Sequence, residues 1–133
     1  MENKIDIKIS VVLRKNEEIL LVKHKDGEWR LPEGNMIFQD EFEQTAKREM
    51  MEKLGVNLIR TKVVCVNNDK EKDKQNITIG VLSEEFEGEA DLKNNDEFTD
   101  LSWSTIENLP FPVYLPSAKI LMNLRKGHFY FPN

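Results

Sequence analysis

Cysteine is nearly absent from this chain, and long apolar segments are missing altogether. The 133 residues include a single cysteine, Cys65, which excludes an intrachain disulfide and a cysteine-rich zinc site. No run of residues approaches the roughly 20 apolar residues that a membrane-spanning helix needs. Residues 1–10 also lack the apolar core of a signal peptide. These absences predict a cytoplasmic protein with no membrane partner.

An excess of basic residues is missing as well. The formal net charge is −5, which argues against a nucleic-acid duplex or an anionic membrane as a partner. With 39% hydrophobic and 32% charged residues, the composition is that of an ordinary globular protein. The length suits a single domain over residues 1–133. The acidity fits an enzyme that recruits divalent cations, and it fits simple solubility equally well.

Strand patterns are present in both halves of the chain. Apolar residues alternate with polar or small ones from Ile5 to Leu13, and this period predicts a half-buried strand. Further strands are predicted at 19–22, 29–32, 58–66, 77–82 and 98–103. The mixed-charge segment 68–75 is predicted to be a solvated loop. Residues 117–125 are predicted to form a C-terminal helix whose inward residues are Ala118, Leu121, Met122 and Leu124.

A second helix is predicted between Asp40 and Gly55. Asp40 is the expected N-cap, with Glu43 three residues later in a capping-box pattern. Gly55 suits a left-handed C-terminal cap. Apolar residues recur every four positions and form one stripe: Phe42, Ala46, Met50 and Leu54. Together the patterns predict an α/β protein in which a mixed sheet carries two main helices.

One face of this helix carries the charged residues Glu49, Glu52 and Lys53. Taken alone, this pattern is typical of a solvated surface, because Glu49 and Lys53 form a favourable i, i+4 ion pair. The spacing of the whole segment 34–56 is more specific. It contains a glycine, an acid, an Arg-Glu pair, an apolar residue, a further acid and a closing pair: Gly34, Asp40, Arg48, Glu49, Met50, Glu52, Gly55 and Val56.

This segment resembles the Nudix box, with Asp40 in place of a Glu. The resemblance implies a Nudix-type α/β/α sandwich, in which a mixed sheet carries the box helix and the C-terminal helix. It also implies a hydrolase that cleaves a phosphoanhydride bond of a nucleoside polyphosphate, with Mg²⁺ or Mn²⁺ as cofactor. Such a cation neutralises phosphate oxygens and lowers the pKa of the attacking water.

The resemblance also implies the site residues. The expected catalytic residues are Glu49, Glu52 and Arg48. The expected metal ligands are Glu49, Glu52, Glu33 and Glu97. The expected structural positions are Gly34, Asp40 and Gly55.

Departures from the box bear on the metal site. Glu33 replaces a glycine, Ile37 replaces a Glu of the loop, and Gln39 replaces a glycine before the helix. Lys53 stands where the last Glu of the box belongs. Removing a ligand while adding a positive charge is expected to weaken Mg²⁺ binding. A remote acid is expected to compensate, and the candidates are Asp96, Glu97 and Asp100.

Substrate contacts are predicted from cations and an aromatic residue near the box. Lys23 and Arg30 border the expected cleft and suit phosphate groups, although exposed strand cations are also commonly solubilising. Phe38 suits stacking on a nucleotide base, although core packing is the more common role for such a side chain.

The sequence is compatible with two functions. The first is a metal-dependent hydrolase of a nucleoside polyphosphate, which the intact Arg48, Glu49 and Glu52 favour. The second is a catalytically impaired Nudix domain that binds a nucleotide or a protein without hydrolysis, which Lys53 favours. The sequence leaves open the base, the sugar, the cleaved bond and a homodimer.

Overall fold

A seven-stranded mixed sheet forms the centre of the computed structural model, which describes residues 3–92, 96–130 and 132. The strands are β1 (Lys4–Lys15), β2 (Glu18–His24), β3 (Trp29–Arg30), β4 (Glu33–Asn35), β5 (Asn57–Lys70), β6 (Lys74–Glu87) and β7 (Phe98–Ser104). The helices are α1 (Phe42–Leu54) and α2 (Leu115–Lys126), with a short 3-10 helix at Ile106–Asn108 between β7 and α2. No helix in the described ranges is long and apolar enough to cross a membrane.

Strand β1 organises the sheet. It pairs in antiparallel fashion with β2 and β4 and in parallel with β6. The remaining pairs, β5 with β6 and both β3 and β7 with β2, are antiparallel. Because β5 continues to Lys70 and β6 begins at Lys74, the predicted solvated loop over 68–75 is wrong for most of its length. Backbone pairing such as Asp69 with Asn76 extends the ladder through these polar residues.

The two helices cover opposite faces of the sheet. Val11 of β1 belongs to the same buried cluster as Met50 of α1. Its neighbour Val12 belongs to a second cluster with Ile120 and Leu121 of α2. Since successive side chains of a strand point to opposite faces, the sheet lies between the helices. The predicted α/β/α sandwich is therefore confirmed.

The helix patterns were predicted with unequal success. In α1 the predicted residues Ala46, Met50 and Leu54 are fully buried, and Gly55 ends the helix with a φ of 70°. In α2 the side chain of Ile120 is fully buried, whereas Met122 is 44% exposed. The prediction that Met122 faces inward is therefore wrong, because the buried stripe of α2 runs through Ser117, Ile120 and Leu121. The prediction for Leu121 is confirmed, since its side chain is 1% exposed.

Candidate active site

The short strand β4 brings the start of the box under helix α1. Gly34 pairs with Ile9 of β1 and is itself buried. A Cβ atom placed on Gly34 would overlap Oε1, Cδ and Cγ of Glu49. The glycine therefore leaves the space that the Glu49 side chain occupies, and this close approach fixes where the carboxylate lies.

Replacing Gly34 by Ala is expected to displace the Glu49 side chain. It should destabilise the fold by about 1–3 kcal/mol, the usual cost of adding a carbon atom to a tightly packed region. Chemical denaturation of the single variant and of the Gly34→Ala/Glu49→Ala double variant measures this. Truncating Glu49 removes the overlapping atoms, so the cost of Gly34→Ala should largely vanish in that background. An equal cost in both backgrounds would show that the clash lies elsewhere.

The ammonium group of Lys53 lies among oxygen atoms at the edge of this packing. Its Nζ donates a hydrogen bond to the backbone carbonyl of Glu33 at 2.9 Å and lies 3.1 Å from Oε1 of Glu49. Oε2 of Glu97 is 4.0 Å away, and the ring centroid of Phe98 is 5.9 Å away. Lys53 is thus held by residues from β4, α1 and the start of β7.

Asp40 lies one residue before the N-cap, where it anchors the helix from outside. Helix α1 is capped by Glu41, whose backbone N–H donates to the side chain of Gln44 at 2.6 Å, so the prediction that Asp40 is the N-cap is wrong by one residue. The Asp40 carboxylate accepts hydrogen bonds from the Thr45 hydroxyl at 2.6 Å and from Arg48 at 2.7 Å. These two bonds, the Thr45 bond foremost, lower the pKa of Asp40.

Asp40→Asn should remove part of the acid sensitivity of the fold. A lowered pKa means that the ionised Asp40 contributes stability above the pKa of the unfolded chain, about 4. That stability is lost as pH falls through the lower pKa of the folded state. Urea denaturation across this range should therefore show that the gap between wild type and Asp40→Asn is widest near neutrality and closes in acid. A gap independent of pH would contradict the assignment.

Arg30 and Glu33 meet at the other side of the box. The Arg30 guanidinium stacks over the Tyr114 ring at 3.9 Å from the centroid and pairs with Asp26 at 2.8 Å. A second nitrogen of Arg30 lies 3.9 Å from Oε1 of Glu33. Burial raises the pKa of Glu33, and the nearby charges of Lys8, Arg30, Lys53 and His24 only partly oppose that effect.

Arg30, Glu33, Glu49 and Lys53 line one open cleft of about 490 Å³. Among the residues that the structure describes, its charged lining consists of four cations and three carboxylates: Lys8, Arg30, Arg48, Lys53, Glu33, Glu49 and Glu97. The remaining lining residues include Gly34, His24 and Phe98. Cations thus outnumber acids in the cleft although the whole chain carries a net charge of −5. Such a lining can hold a polyanion next to carboxylates that accept protons.

The structure brings together some of the predicted site residues and separates others. Arg30, Glu33, Gly34, Arg48, Glu49 and Glu97 all line the cleft. Glu52 is exposed on α1 outside this lining, and the ring of Phe38 is 91% exposed. Lys23 also lies outside the lining, with its Nζ 6.0 Å from the Trp29 ring. Of the candidate remote acids, the cleft includes Glu97 but neither Asp96 nor Asp100.

Lys8 and His24 are cleft residues that the sequence alone did not single out. Lys8 lies at a polar position of β1, directly opposite Asn35 of β4. His24 ends β2 and packs edge-on against Phe98. The strand alternation around Lys8 does show which face it occupies, but only the pairing of β1 with β4 places that face beside the box.

The oxygen atoms of the described residues do not form a divalent metal site in this arrangement. Within residues 3–92 and 96–130, no group of three or more His, Cys, Asp or Glu side chains is placed to hold a metal ion. Two oxygens of the cleft, the Glu33 carbonyl and a Glu49 carboxylate oxygen, contact the ammonium of Lys53 instead. A positive charge already occupies the position where a cation would need those ligands.

Comparisons with known proteins show which family the sequence and the fold resemble. The sequence is 30% identical over 115 residues to a Bacillus subtilis (strain 168) protein described as "Putative 8-oxo-dGTP diphosphatase", covering 85% of this chain and 74% of that protein. The crystal structure of the MutT NUDIX hydrolase from Burkholderia pseudomallei superimposes with a TM-score of 0.84 at 25% identity, covering 89% of this chain and 96% of that one.

A second similar structure is the NUDIX domain of Shewanella oneidensis NrtR complexed with ADP ribose. It has a TM-score of 0.76 at 19% identity and covers 95% of this chain and 89% of its own, which shows a shared fold. The family model of the NUDIX domain matches residues 5–124. Members of that family are typically pyrophosphohydrolases that use divalent metal ions. By this match and by the box at the cleft, the chain belongs to the Nudix hydrolase family.

Proposed function

We propose that this chain binds a nucleoside polyphosphate in the cleft and hydrolyses one of its phosphoanhydride bonds. The observation that carries the proposal is the meeting of Lys8 and Arg30 with the carboxylate of Glu33 in that cleft. The relative described as an 8-oxo-dGTP diphosphatase supports a nucleoside triphosphate, including oxidised forms, as the substrate class.

The cationic groups and the carboxylate of the cleft would have different roles. Lys8 and Arg30 would contact the phosphate oxygens, since both line the cleft and carry compact or bidentate cationic groups. Glu33 would accept a proton from water as that water attacks phosphorus and the phosphoanhydride oxygen leaves with the bonding electrons. A half-buried carboxylate with a raised pKa is a stronger proton acceptor than a solvated one.

Helix α1 supplies groups that hold this arrangement in place. Arg48 binds Asp40 at 2.7 Å, and Glu49 holds Lys53 at 3.1 Å. We assign both as positioning residues. The roles of Glu52 as catalytic residue and metal ligand, of Lys23 and Phe38 in substrate binding, and of Mg²⁺ or Mn²⁺ as cofactor remain predictions.

A turnover assay tests the proposal directly. Purified protein is incubated with nucleoside triphosphates including 8-oxo-dGTP, with ADP-ribose and with dinucleoside polyphosphates, in the presence of EDTA, Mg²⁺ or Mn²⁺, and phosphate products are followed. Turnover of a nucleoside triphosphate is expected. Glu52→Gln, compared with wild type in the Mg²⁺ and Mn²⁺ reactions, tests whether that exposed carboxylate contributes.

A second candidate is nucleotide binding without hydrolysis. It is favoured by the ion pair of Lys53 with Glu49, which commits a box carboxylate to a side chain of the same helix. Binding of nucleotide with no turnover under any of these conditions would contradict the hydrolase and support this candidate.

A further inference from the structure

We infer that the ammonium group of Lys53 takes the place of a divalent metal ion in the cleft, so that polyphosphate binds there without such an ion. The inference rests on the proposed function, because it names how the phosphates are held. Lys53 stands where the box has its last Glu, so the charge at this position is reversed. The residue also lines the cleft.

The contacts of the ammonium resemble a cation in an oxygen-lined site. Nζ is 2.9 Å from the Glu33 carbonyl oxygen and 3.1 Å from a Glu49 carboxylate oxygen, with Glu97 farther away at 4.0 Å. An ammonium has three N–H donors, so the two close contacts with described residues leave one for a ligand in the cleft. The side chain is 22% exposed, which gives such a ligand access.

The charge balance of the cleft points the same way. Counted over the described part of the chain, cations exceed carboxylates by one side chain in its lining. With a Glu at position 53 the balance would reverse, and a polyphosphate would then need a metal ion to bridge it to the protein. Lys53 therefore makes the cleft attractive to phosphate oxygens by itself.

Binding of two non-hydrolysable probes, imidodiphosphate and α,β-imido-dGTP, tests this by isothermal titration calorimetry with EDTA and with Mg²⁺. The wild-type chain should bind both probes in EDTA, and Mg²⁺ should not tighten binding. Lys53→Gln should weaken binding in EDTA about tenfold, the loss expected for a charge-assisted hydrogen bond to phosphate.

Lys53→Glu should abolish binding in EDTA, restore it with Mg²⁺, and gain a Mn²⁺ site visible by electron paramagnetic resonance. Lys47→Glu is the matched control, since Lys47 lies on the same helix but is exposed and outside the cleft lining. It should bind the probes as wild type does, and circular dichroism shows whether each variant is folded.

Several results would overturn the inference. Wild-type binding that requires Mg²⁺, Lys53→Gln binding as tight as wild type in EDTA, or no gain of Mn²⁺ binding in a folded Lys53→Glu variant would each do so. The proposed hydrolase fails on a different result, namely metal-free binding of the probes with no turnover of any nucleotide.

Discussion

Glu33→Gln is expected to slow nucleoside triphosphate hydrolysis by about 10²–10⁴-fold, the range found when a positioned proton acceptor is removed. Gln keeps the size and the hydrogen-bonding shape of Glu33 but cannot accept the proton from attacking water. Its neighbours in the cleft, Lys8 and Arg30, are unchanged, so the affinity for substrate should fall much less than kcat. Steady-state kinetics with the preferred nucleotide separates the two effects.

The pH profile gives a second readout of the same residue. Burial raises the pKa of Glu33 against the opposing charges of Lys8, Arg30, Lys53 and His24. Since the active form is the carboxylate, kcat/KM of the wild-type chain should rise with pH through this raised pKa. Glu33→Gln should lose that acidic limb. If the limb persists in the variant, another group accepts the proton.

In the Glu33→Gln variant, the free energy of unfolding should rise although the activity falls. A raised pKa in the folded state means that the fold binds the proton more tightly than the unfolded chain does, so stability falls as pH rises through that pKa. At a pH above that pKa, replacing the ionised Glu33 by Gln should therefore make the chain more stable in urea denaturation. Lower activity with higher stability is typical of a functional group that strains its site, and a merely structural residue would lose both.

Glu28→Gln is the matched control for this series. Glu28 also pairs with Arg30, at 3.6 Å, but its side chain is 40% exposed and lies outside the cleft lining. It should retain the wild-type rate and pH profile. A comparable loss in Glu28→Gln would show that the effect acts through Arg30 and not through a proton acceptor at Glu33.

The part of the site that lies on one helix could be predicted from the sequence. The apolar stripe of α1 and the cap at Gly55 follow from a period of 3.6 residues and from the left-handed conformation that glycine adopts easily. The pair of Glu49 with Lys53 follows from their i, i+4 spacing, and the structure places them 3.1 Å apart. These features depend on neighbours in the chain, which a single sequence displays.

Contacts between distant segments could not be predicted in the same way. Strand β4 has three residues with no strand pattern, and it forms because its backbone pairs with β1. The Glu33 carbonyl that binds Lys53 is 20 positions away in sequence, and Lys8 reaches the cleft only through the register of β1 against β4. Without the sheet order, no spacing rule relates these residues.

Met50→Ala is expected to lower the free energy of unfolding by about 2–5 kcal/mol, the usual cost of truncating a large buried side chain. Met50 is fully buried and joins helix α1 to residues of β1, β2 and β6 in one cluster. The whole fold of a domain this size is stable by only about 5–15 kcal/mol. The loss would therefore be a large share of the total.

The adjacent Met51 provides the control for that loss, because it has the same side chain on the same helix. Its side chain is 46% exposed, so Met51→Ala should change stability by no more than about 0.5 kcal/mol. Urea denaturation of both variants at one pH measures the difference. Since Met50 follows Glu49 and lies one turn from Lys53, its packing also holds the charged face of α1 over the cleft. Equal stability of the two variants would mean that α1 does not pack on the sheet through Met50. The positions assigned to Glu49 and Lys53 would then be wrong as well.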